Sequence, residues 1–170
     1  MGAATMKNKE QYTNLNGREI VHKGDERIEF KGQLDSFRAL LAYVRHLLAE
    51  DKGLYDNLGE VEKVCLDIMV ADTGGKKLEG LKIFGYDKAS LTEVSNYPEK
   101  HLGVSHFLPD GSSDLNLILL NMLRTEVRSV ERCACRAFKN DDDKEPIIET
   151  LNRLSSAIYI LMLKCQGGSK

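Results

Sequence analysis

A chain of 170 residues with 42% hydrophobic content is long enough for one well-filled core, and two full domains would be crowded within it. The formal charge of −2 excludes the strongly basic field that attracts nucleic acid or an anionic membrane surface. Any polyanionic ligand must therefore be bound by a local cluster of cationic side chains.

No apolar run approaches the roughly 20 residues of a membrane span. The first residues, MGAATM, lack the charged and then apolar layout of a signal peptide. These two features predict a soluble, cytoplasmic protein that associates with neither a membrane nor nucleic acid.

The sequence predicts a single domain over residues 1–170, beginning with an extended, partly ordered segment at 1–32. The helical bundle is expected over residues 33–167. Apolar residues at helical spacing predict its first two helices at 34–50 and 54–71, separated by Gly53.

The pattern between residues 78 and 102 is less regular. Ser90 could cap a short helix there, and Pro98 should interrupt it. The segment HFLPDGSSD, at 106–114, is typical of a turn, and we expect one of its serines to cap the next helix.

Two long helices complete the predicted elements. One is expected over residues 114–138, and the other starts at Pro146 and ends at Gly167. Long helices joined by short connections predict an all-α, antiparallel bundle.

The four cysteines give no sign of a metal site. Cys133 and Cys135 lie two positions apart, so on a helix their side chains point about 160° away from each other. No second cysteine pair or histidine pair completes a zinc set. We expect Cys65, Cys133, Cys135 and Cys165 to be buried, reduced thiols.

The segment LRTEVRSVER, at 123–132, carries a polar face opposite a stripe of core residues. Arg124, Arg128 and Glu131 fall within roughly 60° of one another on a helix. Two guanidiniums one turn apart suit a polyanion such as a triphosphate. The same spacing also fits a solvated face with ion pairs along the helix, and the spacing alone slightly favours that interpretation.

The last helix offers a second polar face at its midpoint. Asn152, Ser156 and Tyr159 share this face, which would line either a pocket or a seam between subunits.

Four motifs occur in an order that resembles a known family. They are GQLD at 32–35, HFLP at 106–109, RTEVRSVER at 124–132 and NRLS at 152–155. Together, over most of the chain from about residue 13 onward, they resemble the PduO-type ATP:cob(I)alamin adenosyltransferases.

This resemblance implies a fold, an assembly and a reaction. Members of that family are five-helix bundles that form homotrimers, with the site between adjacent subunits. They use ATP and Mg²⁺, and they transfer the 5′-deoxyadenosyl group to the cobalt of reduced cobalamin, which is a substrate. Triphosphate is released.

The resemblance also implies a catalytic set. Arg128 matches an arginine that contacts the phosphates, and Arg124 matches one that pairs with the aspartate found here as Asp35. From its position alone, Asp35 could instead be a carboxylate in a first helical turn, where the helix dipole favours it.

Four further residues match positions that bind the substrates. Glu131 and Asn152 match the nucleotide site, and Lys23 resembles a lysine that reaches ATP. Phe107 resembles the aromatic residue that closes on the lower corrin face. Position alone would equally allow Phe107 to be a core aromatic and Asn152 to face solvent.

The chain departs from the family pattern in three places. The N-terminal loop Thr-Lys-Thr-Gly-Asp-x-Gly is matched by ATMKNKE at 4–10, which lacks both glycines. Ser129 stands where an arginine is frequent, and Ser156 replaces an aspartate. Two alternatives therefore stay open, namely a degenerate member that binds corrinoid or nucleotide for delivery, sensing or assembly, and a helical oligomer without a ligand.

Overall fold

A computed structural model describes residues 9–17 and 19–168 of the chain. Its helices are α1 (Glu26–Leu47), α2 (Lys52–Asp72), α3 (Lys88–Asn96), α4 (Pro98–Leu102), α5 (Leu115–Ala137) and α6 (Glu145–Gly168). Two short antiparallel hairpins pair β1 (Tyr12–Asn14) with β2 (Ile20–His22), and β3 (Lys82–Ile83) with β4 (Tyr86–Asp87).

The four long helices surround one hydrophobic core. Helix α5 packs between α1 and α6, while α2 packs against α1 and contacts α6. Each contributes an apolar stripe at helical spacing, and Phe37, Leu58, Leu123 and Leu154 are fully buried. Burial of each such side chain contributes about 1.5–3 kcal/mol to stability. The predicted all-α bundle is confirmed.

Helix α1 begins eight residues earlier than the sequence predicted. Asp25 is its N-cap, and the Asp25 carboxylate accepts a hydrogen bond of 2.9 Å from the backbone N–H of Arg27. The extra turns bury Phe30 in the core, against Phe138. The expected extended conformation is therefore wrong for residues 26–32, because an aspartate cap and an apolar stripe already favour a helix there.

The interruption at Pro98 is confirmed, since α3 ends at Asn96 and α4 starts at the proline. Counted as one broken segment, α3 and α4 give the five helical segments expected of the bundle. Ser90 does not cap α3. Asp87 does so, because its carboxylate accepts a 2.8 Å hydrogen bond from the backbone N–H of Ser90.

The N-cap of α5 also differs from the prediction. It is Asp114, and neither serine of the preceding turn serves as the cap. Ser112 instead bonds to the carboxylate of Asp110, while the Ser113 hydroxyl accepts a hydrogen bond from the backbone N–H of Asp110. Both serines thus form hydrogen bonds within the turn.

None of the four cysteines forms a disulfide, and they are not all buried, since Cys165 is only half-buried. Cys65 and Cys133 lie in the core, and burial raises the pKa of the Cys65 thiol to about 12. The expectation is wrong for Cys135, which is exposed because it lies outside the buried stripe of α5. Within residues 9–17 and 19–168, no helix combines the length and the apolar character needed to cross a membrane.

Removal of the α1 cap tests its role. We expect Asp25→Ala to lower the free energy of unfolding by about 1 kcal/mol, the usual cost of a lost side-chain cap. Hydrogen bonds from Arg27 lower the pKa of Asp25 from 3.8 to about 2. Its stabilising effect should therefore be complete above pH 3.8 and disappear as the pH falls through about 2.

Denaturant unfolding at neutral pH, and over the acidic range from pH 3.8 to about 2, measures both effects. Asp56→Ala is the control, because Asp56 is an exposed carboxylate within α2. An equal loss of stability in both variants, or a loss in Asp25→Ala that does not change with pH, would contradict this assignment.

Candidate active site

A cleft opens between α5, α6, the end of α3 and the segment that precedes α5. Its cavity has a volume of about 570 Å³, within the range of small-molecule sites. The lining residues are Ser95, Asn96, His106, Phe107, Leu108, Arg124, Arg128, Ser155, Ser156 and Tyr159.

The register of α5 against α6 turns the two arginines into this cleft. Leu123 and Val127 point into the core, and Arg124 and Arg128 each follow one of them by a single position, which is about 100° around the helix. That rotation directs both guanidiniums toward the side of α5 that meets α6. The predicted polar face thus borders a cavity.

Arg124 and Arg128 form a cationic pair without a counter-ion. In the described part of the chain, neither guanidinium has a carboxylate within ion-pair distance. Burial, and then the charge of Arg128, lowers the pKa of Arg124, although an arginine remains protonated at neutral pH. Because two like charges repel, a bound anion would stabilise both.

Tyr159 supports Arg124, which is half-buried, whereas Arg128 is exposed. The Cζ atom of Arg124 lies 5.0 Å from the centroid of the Tyr159 ring, in a cation–π contact. The tyrosine is only 8% exposed, so its ring forms a firm wall of the cleft.

The polar face continues for one turn beyond Arg128. The amide Nδ2 of Asn152 donates a 2.6 Å hydrogen bond to Glu131. Arg153 donates to the amide oxygen of Asn152 and also to the hydroxyl of Thr92 on α3. The orientation of the Asn152 amide is therefore fixed by its neighbours.

Part of the cleft is apolar, where Phe107 and Leu108 line it. Phe107 is half-buried, and Leu108 is 72% exposed. An exposed leucine beside a partly buried phenylalanine makes an apolar surface next to the arginine pair. The cleft can therefore take a ligand with a polyanionic part and a large apolar part.

Asp35 and Lys23 lie outside the cleft. The side chain of Asp35 is 65% exposed and is 3.9 Å from Arg38. The expected pair with Arg124 does not form within one chain, because α1 and α5 meet through Gln33 and Glu126, whereas Arg124 faces α6. Lys23 is exposed just after β2, and residues 4–8 of the expected phosphate loop lie outside the described residues.

Three residues that line the cleft were not predicted from the sequence. Ser95 and Asn96 reach it from the end of α3, and Ser155 reaches it from the NRLS motif. The break before Pro98 marked a helix end, but only the packing of α3 on α6 brings that end to the arginines. The face shared by Ser156 and Tyr159 does line this pocket.

The family model for cobalamin adenosyltransferase matches residues 3–165. The chain therefore belongs to the cobalamin adenosyltransferase family, as the four motifs predicted.

Two relatives are similar along most of this chain. Corrinoid adenosyltransferase EutT of Escherichia coli K12 is 34% identical over 154 residues, which are 89% of this chain and 57% of the relative. Its counterpart in Salmonella typhimurium is 32% identical over 161 residues, covering 93% of this chain and 60% of the relative. The chain thus spans about six tenths of the length of these curated relatives.

Solved structures share the fold at low sequence identity. A phenylalanine-to-alanine variant of the PduO-type ATP:corrinoid adenosyltransferase from Lactobacillus reuteri, complexed with cobalamin and ATP, has a TM-score of 0.71 at 16% identity. The match covers 95% of this chain and 91% of that one. An arginine-to-lysine variant complexed with ATP has a TM-score of 0.73 at 19% identity, covering 96% and 93% of the two chains.

The arginine pair predicts an anion site that can be tested with inorganic triphosphate alone. We expect Arg128→Ala to weaken triphosphate binding about tenfold to hundredfold, since a charge-assisted contact is worth about 1.5–3 kcal/mol. Titration calorimetry at low ionic strength measures the change.

Arg132→Ala is the matched control. Arg132 is an exposed arginine one turn after Arg128 on the same helix, and it donates a 2.8 Å hydrogen bond to Ser129 outside the cleft. Equal weakening in the two variants would mean that binding follows the general charge of α5, and the site would be refuted.

Proposed function

We propose that this chain transfers the 5′-deoxyadenosyl group of ATP to the cobalt of reduced cobalamin and releases triphosphate. The observation that carries the proposal is the arginine pair, which has no counter-ion among the described residues and lies in a cleft that also has an apolar surface. The similarity to corrinoid adenosyltransferases supports the same reaction.

In this reaction the protein forms no covalent bond to either substrate. The electron pair of cobalt(I) attacks C5′ of ATP and forms the cobalt–carbon bond. The bond between C5′ and its oxygen breaks, and the electron pair leaves with the triphosphate. Catalysis then depends on aligning the two substrates and on stabilising the negative charge that develops on the leaving group. Arg124 and Arg128 have the charge and the spacing for the second task.

The apolar part of the cleft is proposed to receive the corrinoid. Phe107 would pack against the lower face of the macrocycle, where an aromatic side chain excludes water and an axial ligand. Leu108, exposed beside it, would be covered by the same macrocycle. The two substrates would thus meet between the arginines and Phe107.

Nucleotide and metal would be held next to the arginine pair. Glu131 and Asn152 extend the arginine face by one turn, and Lys23 would contact ATP from the N-terminal side. Among the described residues, no three histidine, cysteine, aspartate or glutamate side chains cluster for a metal. Mg²⁺ commonly binds through substrate phosphates and one or two carboxylates, and Glu131 fits that requirement.

The proposed assembly is a homotrimer in the cytoplasm. An open cleft, and an exposed Asp35 that does not pair with Arg124 of its own chain, both fit a site completed by a neighbouring subunit. In that arrangement Asp35 would pair with the arginine of an adjacent copy. Four cysteines that form no disulfide fit a reducing compartment.

A second candidate function is binding of corrinoid or nucleotide without turnover, for delivery, sensing or assembly. It is favoured by Ser129 and Ser156, which replace an arginine and an aspartate of the family pattern, and by the absence of both loop glycines at 4–10. Ser156 lines the cleft, so this replacement changes the site itself.

The decisive experiment supplies the protein with ATP, Mg²⁺ and chemically reduced cobalamin. We expect the corrin absorption spectrum to change as the cobalt–carbon bond forms, with release of one triphosphate per product. Arg128→Ala should lower kcat/KM about tenfold to hundredfold, because it removes one charge-assisted contact to the leaving group. Arg132→Ala should retain the activity of the unmutated protein.

The alternatives give different results in the same assay. Corrinoid binding without product formation would overturn the transferase and favour the carrier or sensor. Binding of neither substrate would refute both candidate functions and leave a helical oligomer.

A further inference from the structure

We propose that Tyr159 is a positioning residue that couples the two halves of the cleft. Its hydroxyl anchors the segment that carries Phe107, and its ring supports Arg124. This inference rests on the proposed function, because it assigns the apolar half to the corrinoid and the arginine half to ATP.

The hydroxyl lies at the centre of a short hydrogen-bond chain. The backbone N–H of Phe107 donates to the Tyr159 hydroxyl at 3.3 Å, and that hydroxyl lies 3.0 Å from Nδ1 of His106. On its other side, Nε2 of His106 lies 3.3 Å from the backbone carbonyl of Asn96. One tyrosine oxygen therefore ties the segment before α5 to α6, and His106 ties it to α3.

These contacts define one consistent set of donors and acceptors. If the hydroxyl accepts from the backbone N–H of Phe107, its one proton can go to Nδ1 of His106 at 3.0 Å or to the carbonyl of Phe107 at 3.5 Å, and the shorter contact favours His106. A neutral imidazole with its proton on Nε2 then donates to the carbonyl of Asn96. Each polar atom of this hydrogen-bond chain therefore has a partner, and the backbone of Phe107 is held at a fixed place beside α6.

The ring of Tyr159 acts on the other half of the cleft. Its face lies under the guanidinium of Arg124, and the His106 ring lies nearly parallel to it, at an interplanar angle of 7° and a centroid distance of 5.9 Å. Because the tyrosine is 8% exposed, water has little access to its ring. The hydroxyl and the ring therefore serve different substrates and can be separated by substitution.

Tyr159→Phe keeps the ring and removes the hydroxyl. We expect it to raise the KM for the corrinoid about threefold to tenfold, the range that one neutral hydrogen bond supplies, with less than about a twofold change in the KM for ATP. Tyr159→Leu removes the ring as well and should raise both KM values. Tyr43→Phe is the control, because it removes the hydroxyl of an exposed tyrosine on α1.

A double-mutant cycle tests whether the hydroxyl acts through the proposed contact. His106→Phe keeps an aromatic ring but removes both hydrogen bonds. If the contact is responsible, the effects of Tyr159→Phe and His106→Phe on corrinoid affinity should not add, since each breaks the same chain. Direct titration of cobalamin, followed by its absorption spectrum, gives that affinity without turnover, and thermal unfolding verifies that each variant is folded.

The outcomes separate this inference from the proposed function. Additive effects, or a Tyr159→Phe variant in which both KM values rise equally or neither rises, would overturn the role of Tyr159. Corrinoid binding without turnover in the unmutated protein would overturn the transferase, while the titrations would still decide the role of the hydroxyl. No corrinoid binding by the unmutated protein would refute both.

Discussion

The antiparallel packing of α5 on α6 is the constraint on which the rest of the site depends. It places Glu131 against Asn152 and, two turns away, Arg124 against Tyr159. A shift of either helix by one residue would rotate these side chains by about 100° and separate both pairs. The core stripe of α5 fixes that rotation, because Leu123 and Val127 are fully buried. Hydrophobic packing thus determines where the cationic charges lie.

This arrangement has an electrostatic cost in the unliganded protein. Arg124 is partly removed from water beside the charge of Arg128, and no described carboxylate neutralises either one. The net charge of the protein, −2, is too small to offset the repulsion between the two arginines. A cation pair kept under these conditions is typical of a binding site, where stability is given up for affinity toward an anion. A fully solvated face with ion pairs, which the spacing also allowed, does not explain why Arg124 is half-buried beside a second cation.

The sequence predicted the parts of the fold that have strong periodicity. The bounds of α5 were predicted to within one residue, because its apolar stripe is long and regular. The start of α1 was missed, since a single aspartate cap at Asp25 outweighed the polar appearance of residues 26–32. Motif resemblance indicated the arginine pair, but the contacts of Tyr159 depend on the register between helices distant in sequence. The pair of Asp35 with Arg124 was not predictable in the same way, because within one chain Asp35 lies beside Arg38 instead.

Besides the Lys88–Glu149 ion pair, helix α3 has two further polar contacts with its surroundings, one turn apart. Thr92 accepts a hydrogen bond from Arg153, and the carbonyl of Asn96 meets His106. The wall between α3 and α6 is thereby preorganised, so little conformational entropy is lost there when a ligand arrives. The irregular stretch that begins at Gly103, whose φ of 67° ends α4, is held in the same way, because Phe107 contacts α6 and His106 contacts α3. A ligand that enters the cleft therefore meets walls whose positions are set before it arrives.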